Sequence, residues 1–202
     1  MLITETITDF SKLASEQKKC FFKKIWIFDQ QIFPNSSVEE IYNFVHDVDA
    51  VSVKVIHYYH EGKLIGQNVL PILKLSLDGK PIFVLSSRAG ILPAYRSGHI
   101  TLNSAIRVVL NHQIRHLTIP LWFVTTVMQP KVYTIFASRS HNFFPRAERQ
   151  TPQDYLQVLN VVQQRQHEVQ KRREDIFVHP VVMPKVTLNQ LMCLRTKATK
   201  HI

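Results

Sequence analysis

The chain has 202 residues, of which 45% are hydrophobic and 20% are charged. This composition is typical of a folded globular protein and excludes a globally disordered or fibrous chain. The two cysteines, Cys20 and Cys193, have no His or Cys at metal-ligand spacing, so the sequence predicts neither a zinc site nor a disulfide framework and favours a reducing, cytoplasmic compartment. The longest apolar stretch, residues 119–128, is too short to span a bilayer, and no secretory signal is visible.

The positive charge lies mainly in the second half of the chain. The formal net charge is +10, from 25 Lys and Arg against 15 Asp and Glu. Residues 1–100 hold 11 of the basic and 10 of the acidic residues, which leaves 25 − 11 = 14 basic and 15 − 10 = 5 acidic residues for the second half. Such a field attracts anionic ligands, whether a phosphorylated cofactor, nucleic acid or an acidic membrane surface, and does not choose among them.

The first 50 residues predict one strand followed by helices. Residues 1–7 alternate as a strand does, and residues 9–33 carry apolar side chains at helical intervals, as one long helix or two short ones. Lysines on this region are explained better as a solvated face than as a membrane-binding surface. Ser37 with Glu40 forms a capping box that predicts another helix start. The acidic residues after that helix indicate a polar helix exit rather than a metal site.

Three successive strands follow, at residues 51–60, 64–77 and 81–87. Short turns separate them, and the second turn, Asp78-Gly79, is of the type that favours positive φ. Pro71 indicates an irregularity or a sheet edge within the second strand. The sequence therefore predicts an antiparallel meander.

The third of these strands leads into a polar loop and then a helix at residues 101–115. The loop at residues 94–99 offers a cation, a glycine and several hydrogen-bond donors, and Thr101 is a candidate helix cap. One apolar helix face is predicted from Leu102, Ala105, Ile106, Val109, Leu110 and Ile114. Unpaired N–H groups and the positive dipole end meet at such a helix start, so an anion can bind there, although most connections of this kind bind nothing.

The remaining elements alternate between strand and helix. Residues 117–128 predict a buried strand, and the intervening helix predicts that it runs parallel to residues 81–87. Pro130 starts a short helix, and Thr151-Pro152 caps a later helix whose exposed end is residues 163–173. Two last features are a strand and a loosely held basic tail, at residues 176–183 and 188–202. We therefore expect one domain at residues 1–150, with residues 151–202 packed on it.

This order of elements resembles the GNAT superfamily of acyl-CoA-dependent N-acyltransferases over roughly residues 1–145. Residues 62–66 (GKLIG) are similar to the turn between that family's second and third strands, and residues 92–98 (LPAYRSG) to the segment before its cofactor loop. Residues 130–145 are similar to its late helix and following aromatic strand. The resemblance implies an α/β (α+β) fold with a mixed, largely antiparallel central sheet, a V-shaped splay between two parallel strands, and flanking helices.

The resemblance also implies acetyl-CoA or another acyl-CoA as co-substrate, with no metal. The pantetheine arm would lie between residues 82–89 and 119–126, bonded to the backbone near Ser87, Ala89 and Ile91. The pyrophosphate would rest on backbone N–H groups at the helix start, which implies six further cofactor-binding residues: Arg96, Ser97, Gly98, His99, Ile100 and Thr101. The cofactor loop is divergent, because His99 and Thr101 stand where the family has small residues.

The implied activity is acyl transfer to an amine of a small molecule or protein. The family's acid is often a tyrosine on the helix corresponding to residues 130–137, and two registers place either Phe136 or Tyr133 there. Only Tyr133 can donate a proton, so it is the candidate catalytic acid. Three polar residues are the nearest candidates for the base, although an ordinary strand-end role explains each better: His57, His60 and Glu61.

Two alternatives remain open. Acyl-homoserine-lactone synthases and other N-acyl amino acid synthases share this fold, and residues 121–124 fit an acyl channel, although plain core explains them better. The other alternative is a catalytically inactive GNAT-fold binding module that uses its basic C-terminal half on nucleic acid, acidic protein or anionic lipid. No nucleic-acid motif is visible, so acyl-CoA and an unidentified amine acceptor are the favoured partners.

Overall fold

The structure is a computed structural model that describes residues 2–96, 100–127, 130–146, 148–165, 170–173 and 176–178. The chain forms two compact units, Met1–Thr125 and Thr126–Ile202. The predicted boundary near residue 150 stays a prediction, and the predicted basic tail lies outside the described residues. None of the described helices has the length and apolarity needed to cross a bilayer.

The described part of the first unit contains six strands and three α-helices. Its strands are β1 (Thr4–Asp9), β2 (Ala50–His60), β3 (Lys63–Leu77), β4 (Lys80–Leu85), β5 (Arg88–Ile91) and β6 (Leu121–Phe123). Its helices are α1 (Ser15–Ile32), α2 (Val38–Val45) and α3 (Ile100–Gln113).

All six strands belong to one mixed sheet. The order is β1-β2-β3-β4-β6, with β5 paired to β3 beside this path. Every pairing is antiparallel except that between β4 and β6, which is parallel. The predicted meander, the predicted parallel pair and the predicted fold class are therefore confirmed.

Pro71 explains why β4 ends at Leu85, before the predicted strand end at residue 87, and why a separate strand, β5, begins at Arg88. Ile72 lies opposite Leu85 and Val69 opposite Arg88, so both strands follow one register along β3. The Ser86 N–H donates to the Pro71 carbonyl at 3.1 Å, but proline has no N–H with which to return a bond. The ladder is consequently interrupted opposite Pro71, and the strand resumes at Arg88.

The sheet separates two hydrophobic clusters. One includes the side chains of Ile56, Leu70, Phe83 and Leu85 and packs against α3 through Ala105 and Val108. The other cluster combines residues of the 3₁₀ turn before α1, of α1, of α2 and of the opposite sheet face: Phe10, Ile25, Ile41, Val45, Val53, Val55 and Val69. Alternate residues along a strand face opposite sides of the sheet, so β2 and β3 contribute to both clusters.

The first helical region differs in detail from its prediction. A 3₁₀ turn at Phe10–Lys12 precedes the single helix α1. At the start of α2 the Ser37 hydroxyl accepts from the Glu40 N–H at 3.0 Å, as predicted, but the Glu40 carboxylate binds Arg88. The reciprocal half of the predicted capping box is therefore replaced by a tertiary ion pair.

The predicted apolar face of α3 is rotated from the one that is buried. Ser104 is 1% exposed and forms part of the buried face, whereas Ile106, Leu110 and Ile114 are 46%, 55% and 68% exposed. Thr101 is not the helix cap, because α3 already begins at Ile100. The predicted strand at 117–128 is shorter in the structure: β6 has three residues, turn and bend residues occupy 117–119, residues 124–127 are irregular, and residue 128 lies outside the described residues.

The described part of the second unit contains two helices and a hairpin. These are α4 (Pro130–Arg139), α5 (Gln153–Gln163), β7 (Gln170–Arg173) and β8 (Ile176–Val178), with β7 and β8 antiparallel. The aromatic strand that the resemblance implied at residues 142–145 is absent, because a turn ends at Asn142 and residues 143–145 are irregular. The prediction of helix through residue 173 was wrong, because α5 ends at Gln163 and β7 follows. The N-cap of α5 is Pro152, and no side chain caps it.

Candidate functional site

The candidate site begins where β4 and β6 stop pairing. Their parallel ladder runs from Phe83 opposite Leu121 to Leu85 opposite Phe123. Beyond it, the Val124 N–H donates to the Leu85 carbonyl at 2.9 Å, and the Thr125 hydroxyl donates to the Ser87 carbonyl at 3.1 Å. We use the term strand gap for the region beside residues 87–91, past the end of β6, where no described strand pairs with the outer edge of β5.

The backbone of β5 presents an unpaired edge to the strand gap. The Leu92 N–H donates to the Ile65 carbonyl of β3 at 2.9 Å. Because backbone groups alternate in direction along an antiparallel strand, Gly90 also faces β3, whereas Ala89 and Ile91 face away from it. Among the described residues, no strand pairs with this outer edge of β5 and no hydrogen bond reaches the Ala89 N–H or carbonyl.

At the other two predicted pantetheine contacts, Ser87 and Ile91, the backbone carbonyl already accepts one hydrogen bond. The Ile91 carbonyl accepts from Arg96 Nε at 2.9 Å, and the Ser87 carbonyl accepts from Thr125. A carbonyl oxygen has two lone pairs, so each can accept a second donor. Ala89 is therefore the position at which both backbone groups remain available.

The predicted phosphate end of the site lies at the start of α3. Ile100 and Thr101 are the first two helical residues, and the first turn contains no acidic residue. The first N–H groups of a helix have no partner within it, so this turn offers donors to an anion. Arg96 is exposed, and its Nε donates a hydrogen bond to the Ile91 carbonyl. Three predicted cofactor-binding residues lie outside the described residues: Ser97, Gly98 and His99.

A buried amide on β3 connects these two parts of the site. Asn68 has no exposed surface. Its side-chain oxygen accepts from the Ser87 hydroxyl at 2.9 Å, and its Nδ2 donates to the Thr101 carbonyl at 3.3 Å. One side chain thus contacts both the strand gap and the first turn of α3.

On the opposite sheet face, β5 is fixed to α1 and α2 by an ion-pair network. Arg88 donates to both carboxylate oxygens of Asp29, from Nε at 2.8 Å and from Nη2 at 2.9 Å, and its Nη1 donates to Glu40 at 2.6 Å. The guanidinium also lies over the Phe33 ring, 4.6 Å from its centroid. The Ser36 hydroxyl donates to Asp29 at 3.0 Å. This network holds β5 against the helices on the face opposite Asn68.

The candidate bases do not come together at the strand gap. His57 is 1% exposed within β2, where its Nε2 lies 3.1 Å from Gln67 Oε1. Burial, and then the neighbouring Lys24, lower the pKa of His57 to about 4. His60 Nδ1 bonds the Leu2 carbonyl at 3.0 Å, and the Glu61 side chain is 85% exposed. The buried position of His57 removes it as a solvent-accessible base.

Tyr133 lies on α4 in the second unit. Its hydroxyl donates to the Pro145 carbonyl at 2.8 Å, and its ring centroid is 5.6 Å from that of Phe143. The other register candidate, Phe136, stacks on the same Phe143 ring at 5.2 Å. The Tyr133 hydroxyl therefore has a backbone acceptor within its own unit, which orients the phenol.

Sequence reasoning missed Asn68, although a signal was present. Gln67 and Asn68 are two adjacent amides inside an otherwise apolar strand, and buried polar groups need partners. Gln67 bonds the Ile25 carbonyl and His57 on one face, and Asn68 bonds Ser87 and Thr101 on the other. The residues described contain no group of three or more His, Cys, Asp or Glu that could hold a metal ion.

The sequence matches no family model and no curated protein. Three solved structures illustrate what the chain is similar to in fold. An aminoglycoside N-acetyltransferase in complex with CoA is 11% identical, with a TM-score of 0.47 over 75% of this chain and 95% of the other. A ribosomal-protein-alanine N-acetyltransferase from Brucella melitensis is 9% identical, with a TM-score of 0.45 over 75% and 100%. A predicted acetyltransferase with acetyl-CoA from Clostridium acetobutylicum is 12% identical, with a TM-score of 0.44 over 75% and 96%.

Proposed function

We propose that this protein is an acyl-CoA-dependent N-acyltransferase of the GNAT type, which transfers an acetyl or longer acyl group to an amine. The observation that carries the proposal is the outer edge of β5, past the end of β6, with which no strand of the described residues pairs. An extended pantetheine arm carries amide N–H and carbonyl groups. It would bond this edge at Ala89 much as an added strand bonds an open sheet edge.

The start of α3 supports the proposal at the other end of the cofactor. A pyrophosphate placed on the N–H groups of Ile100 and Thr101 would be stabilised by the helix dipole, and Arg96 is exposed next to them. The net charge of +10 attracts a polyanionic cofactor. The outer edge of β5, Arg96 and the start of α3 lie in the first unit, on consecutive segments.

The proposed reaction is attack of a neutral amine on the thioester carbonyl carbon. The new C–N bond forms, the C–S bond breaks, and the departing thiolate takes a proton. We assign that proton to Tyr133, whose hydroxyl proton must first leave the Pro145 carbonyl to which it is donated. The amine loses its own proton to a base that we leave unassigned, since His57 is buried.

Titration calorimetry with acetyl-CoA and with a long-chain acyl-CoA tests the proposal. We expect saturable binding of at least one of them with one site per chain, and preference between the two reports the acyl length. Release of free CoA thiol in the presence of a panel of amines then tests transfer. Absence of binding heat for both acyl-CoA ligands would remove the proposed function.

A further inference from the structure

We infer that Asn68 is a positioning residue that couples the strand gap to the first turn of α3. This inference rests on the proposed function, because these are the two places where the pantetheine arm and the pyrophosphate would bind. Asn68 itself would touch neither ligand group. It would instead fix the distance between the two sets of backbone donors and acceptors that one cofactor must reach at once.

The location of Asn68 supports a coupling role. It lies opposite Ala89 in the β3–β5 ladder, so its side chain starts beside the proposed pantetheine contact. It has no exposed surface, and both ends of its amide are hydrogen-bonded. A buried amide that spans two elements is costly to misplace, since either element's movement would leave a polar group unsatisfied.

The bonds extend the coupling to the end of β6. The Thr125 hydroxyl donates to the Ser87 carbonyl, the Ser87 hydroxyl donates to Asn68, and Asn68 donates to the Thr101 carbonyl. This chain of three hydrogen bonds passes through the segment after β6, the break between β4 and β5, the centre of β3 and α3. A shift of α3 would therefore disturb the hydrogen bonds of Ser87 and Thr125, which lie on the two sides of the strand gap.

The adjacent amide provides a matched control. Gln67 is also buried, at 3% exposed, and also bonds two partners, but these are His57 and the Ile25 carbonyl on the opposite sheet face. Replacing Gln67 by methionine removes a buried amide from the same strand without touching the strand gap. Replacing Asn68 by leucine removes the coupling.

The test compares wild type, Asn68→Leu, Ser87→Ala and Gln67→Met as full chains, by titration calorimetry after circular dichroism has established folding. We expect Asn68→Leu to weaken acetyl-CoA binding about tenfold or more, the size of one or two lost hydrogen bonds. Gln67→Met should bind within about twofold of wild type. Ser87→Ala leaves the hydrogen bond from Asn68 to the Thr101 carbonyl intact. It should therefore weaken the binding of S-acetylpantetheine more than the binding of adenosine 3′,5′-bisphosphate.

A second readout needs no ligand. In hydrogen exchange of the free chain, Asn68→Leu should raise exchange both in residues 87–91 and in the first two turns of α3, whereas Gln67→Met should not. If Asn68→Leu fails to fold, Ser87→Ala carries the test through the two cofactor fragments. Equal acetyl-CoA affinity of folded Asn68→Leu and wild type overturns the inference alone, whereas a wild-type chain that binds no acyl-CoA removes the proposed function.

Discussion

The Asp29 carboxylate, with 1% of its side chain exposed, accepts two hydrogen bonds from the Arg88 guanidinium, at 2.8 Å and 2.9 Å. Asp29 belongs to α1 and Arg88 to β5, so the pair joins a helix to the strand that borders the strand gap. Glu40 adds a second carboxylate at 2.6 Å. A buried carboxylate that loses its partner is strongly destabilising, because its charge is left without compensation.

We therefore expect Arg88→Met to lower the free energy of unfolding by about 3 kcal/mol. Arg107→Met is the control, since Arg107 pairs with Glu5 in an ion pair whose arginine side chain is 56% exposed, and exposed pairs contribute under about 1 kcal/mol. Urea denaturation of both variants measures the difference. Similar losses for the two would contradict a special role for the Arg88 network.

These residues also illustrate what the sequence could predict. Strand alternation in residues 51–87 and the Asp78-Gly79 turn were sufficient for the meander, because both signals are local. The partner of the Glu40 carboxylate could not be predicted from local signals, since a helix cap and a distant arginine compete for the same group. Local patterns predict the cap, and only the tertiary fold brings Arg88 close.

The site shows the same division. The element order predicted the parallel pairing of β4 and β6 beside the candidate site, and that pairing is present. The buried face of α3 did not follow, because Ser104 is buried through hydrogen bonds to Glu5 and the Ile100 carbonyl while apolar Ile106 is exposed. Hydrophobic periodicity ranks isoleucine above serine and so misplaces the face.

Stability should fall on acidification because of His57. Its pKa is lowered to about 4 from an ordinary 6.5, mainly by burial. The unfolded chain therefore binds more protons than the folded chain between these values, so the stabilisation is complete above pH 6.5 and is lost as pH falls to about 4. The resulting loss in the free energy of unfolding is about 3 kcal/mol, since each unit of difference in pKa corresponds to about 1.36 kcal/mol.

Urea denaturation at several pH values, on wild type and His57→Gln, measures this contribution. The glutamine keeps a hydrogen-bonding side chain near Gln67 but does not titrate. We expect the unfolding free energy of wild type to fall more steeply between pH 6.5 and 4 than that of the variant. Parallel curves would show that His57 does not carry the acid sensitivity.

Close packing of Gly90 against α1 gives a further prediction. A Cβ at Gly90 would lie 2.5 Å, 2.8 Å and 3.0 Å from three side-chain atoms of Ile32. We expect Gly90→Ala to destabilise the protein by about 1–3 kcal/mol through overpacking. Ile32→Ala should destabilise the Gly90→Ala variant less than it destabilises wild type. Thermal denaturation of wild type, the two single variants and the double variant measures this difference. Additive losses would contradict the packing explanation.

Tyr133→Phe tests the proposed acid. Loss of the hydroxyl should lower kcat by about 10²-fold or more and leave acyl-CoA affinity unchanged, since a general acid acts on the leaving thiolate and not on cofactor binding. Tyr155→Phe is a matched control, because the Tyr155 hydroxyl also donates to a backbone carbonyl, that of Asn142 at 3.0 Å. Equal kcat losses in the two variants would indicate a structural role for Tyr133.

Hydrogen exchange with and without acetyl-CoA measures whether one cofactor reaches both β5 and the start of α3. The pantetheine arm is proposed to bond the outer edge of β5 at Ala89, and the pyrophosphate to bond the first turn of α3. We therefore predict that acetyl-CoA slows exchange in peptides covering residues 87–91 and 100–104, and leaves β1 and β2 unchanged. Unaltered exchange in both segments at saturating acetyl-CoA would contradict the account.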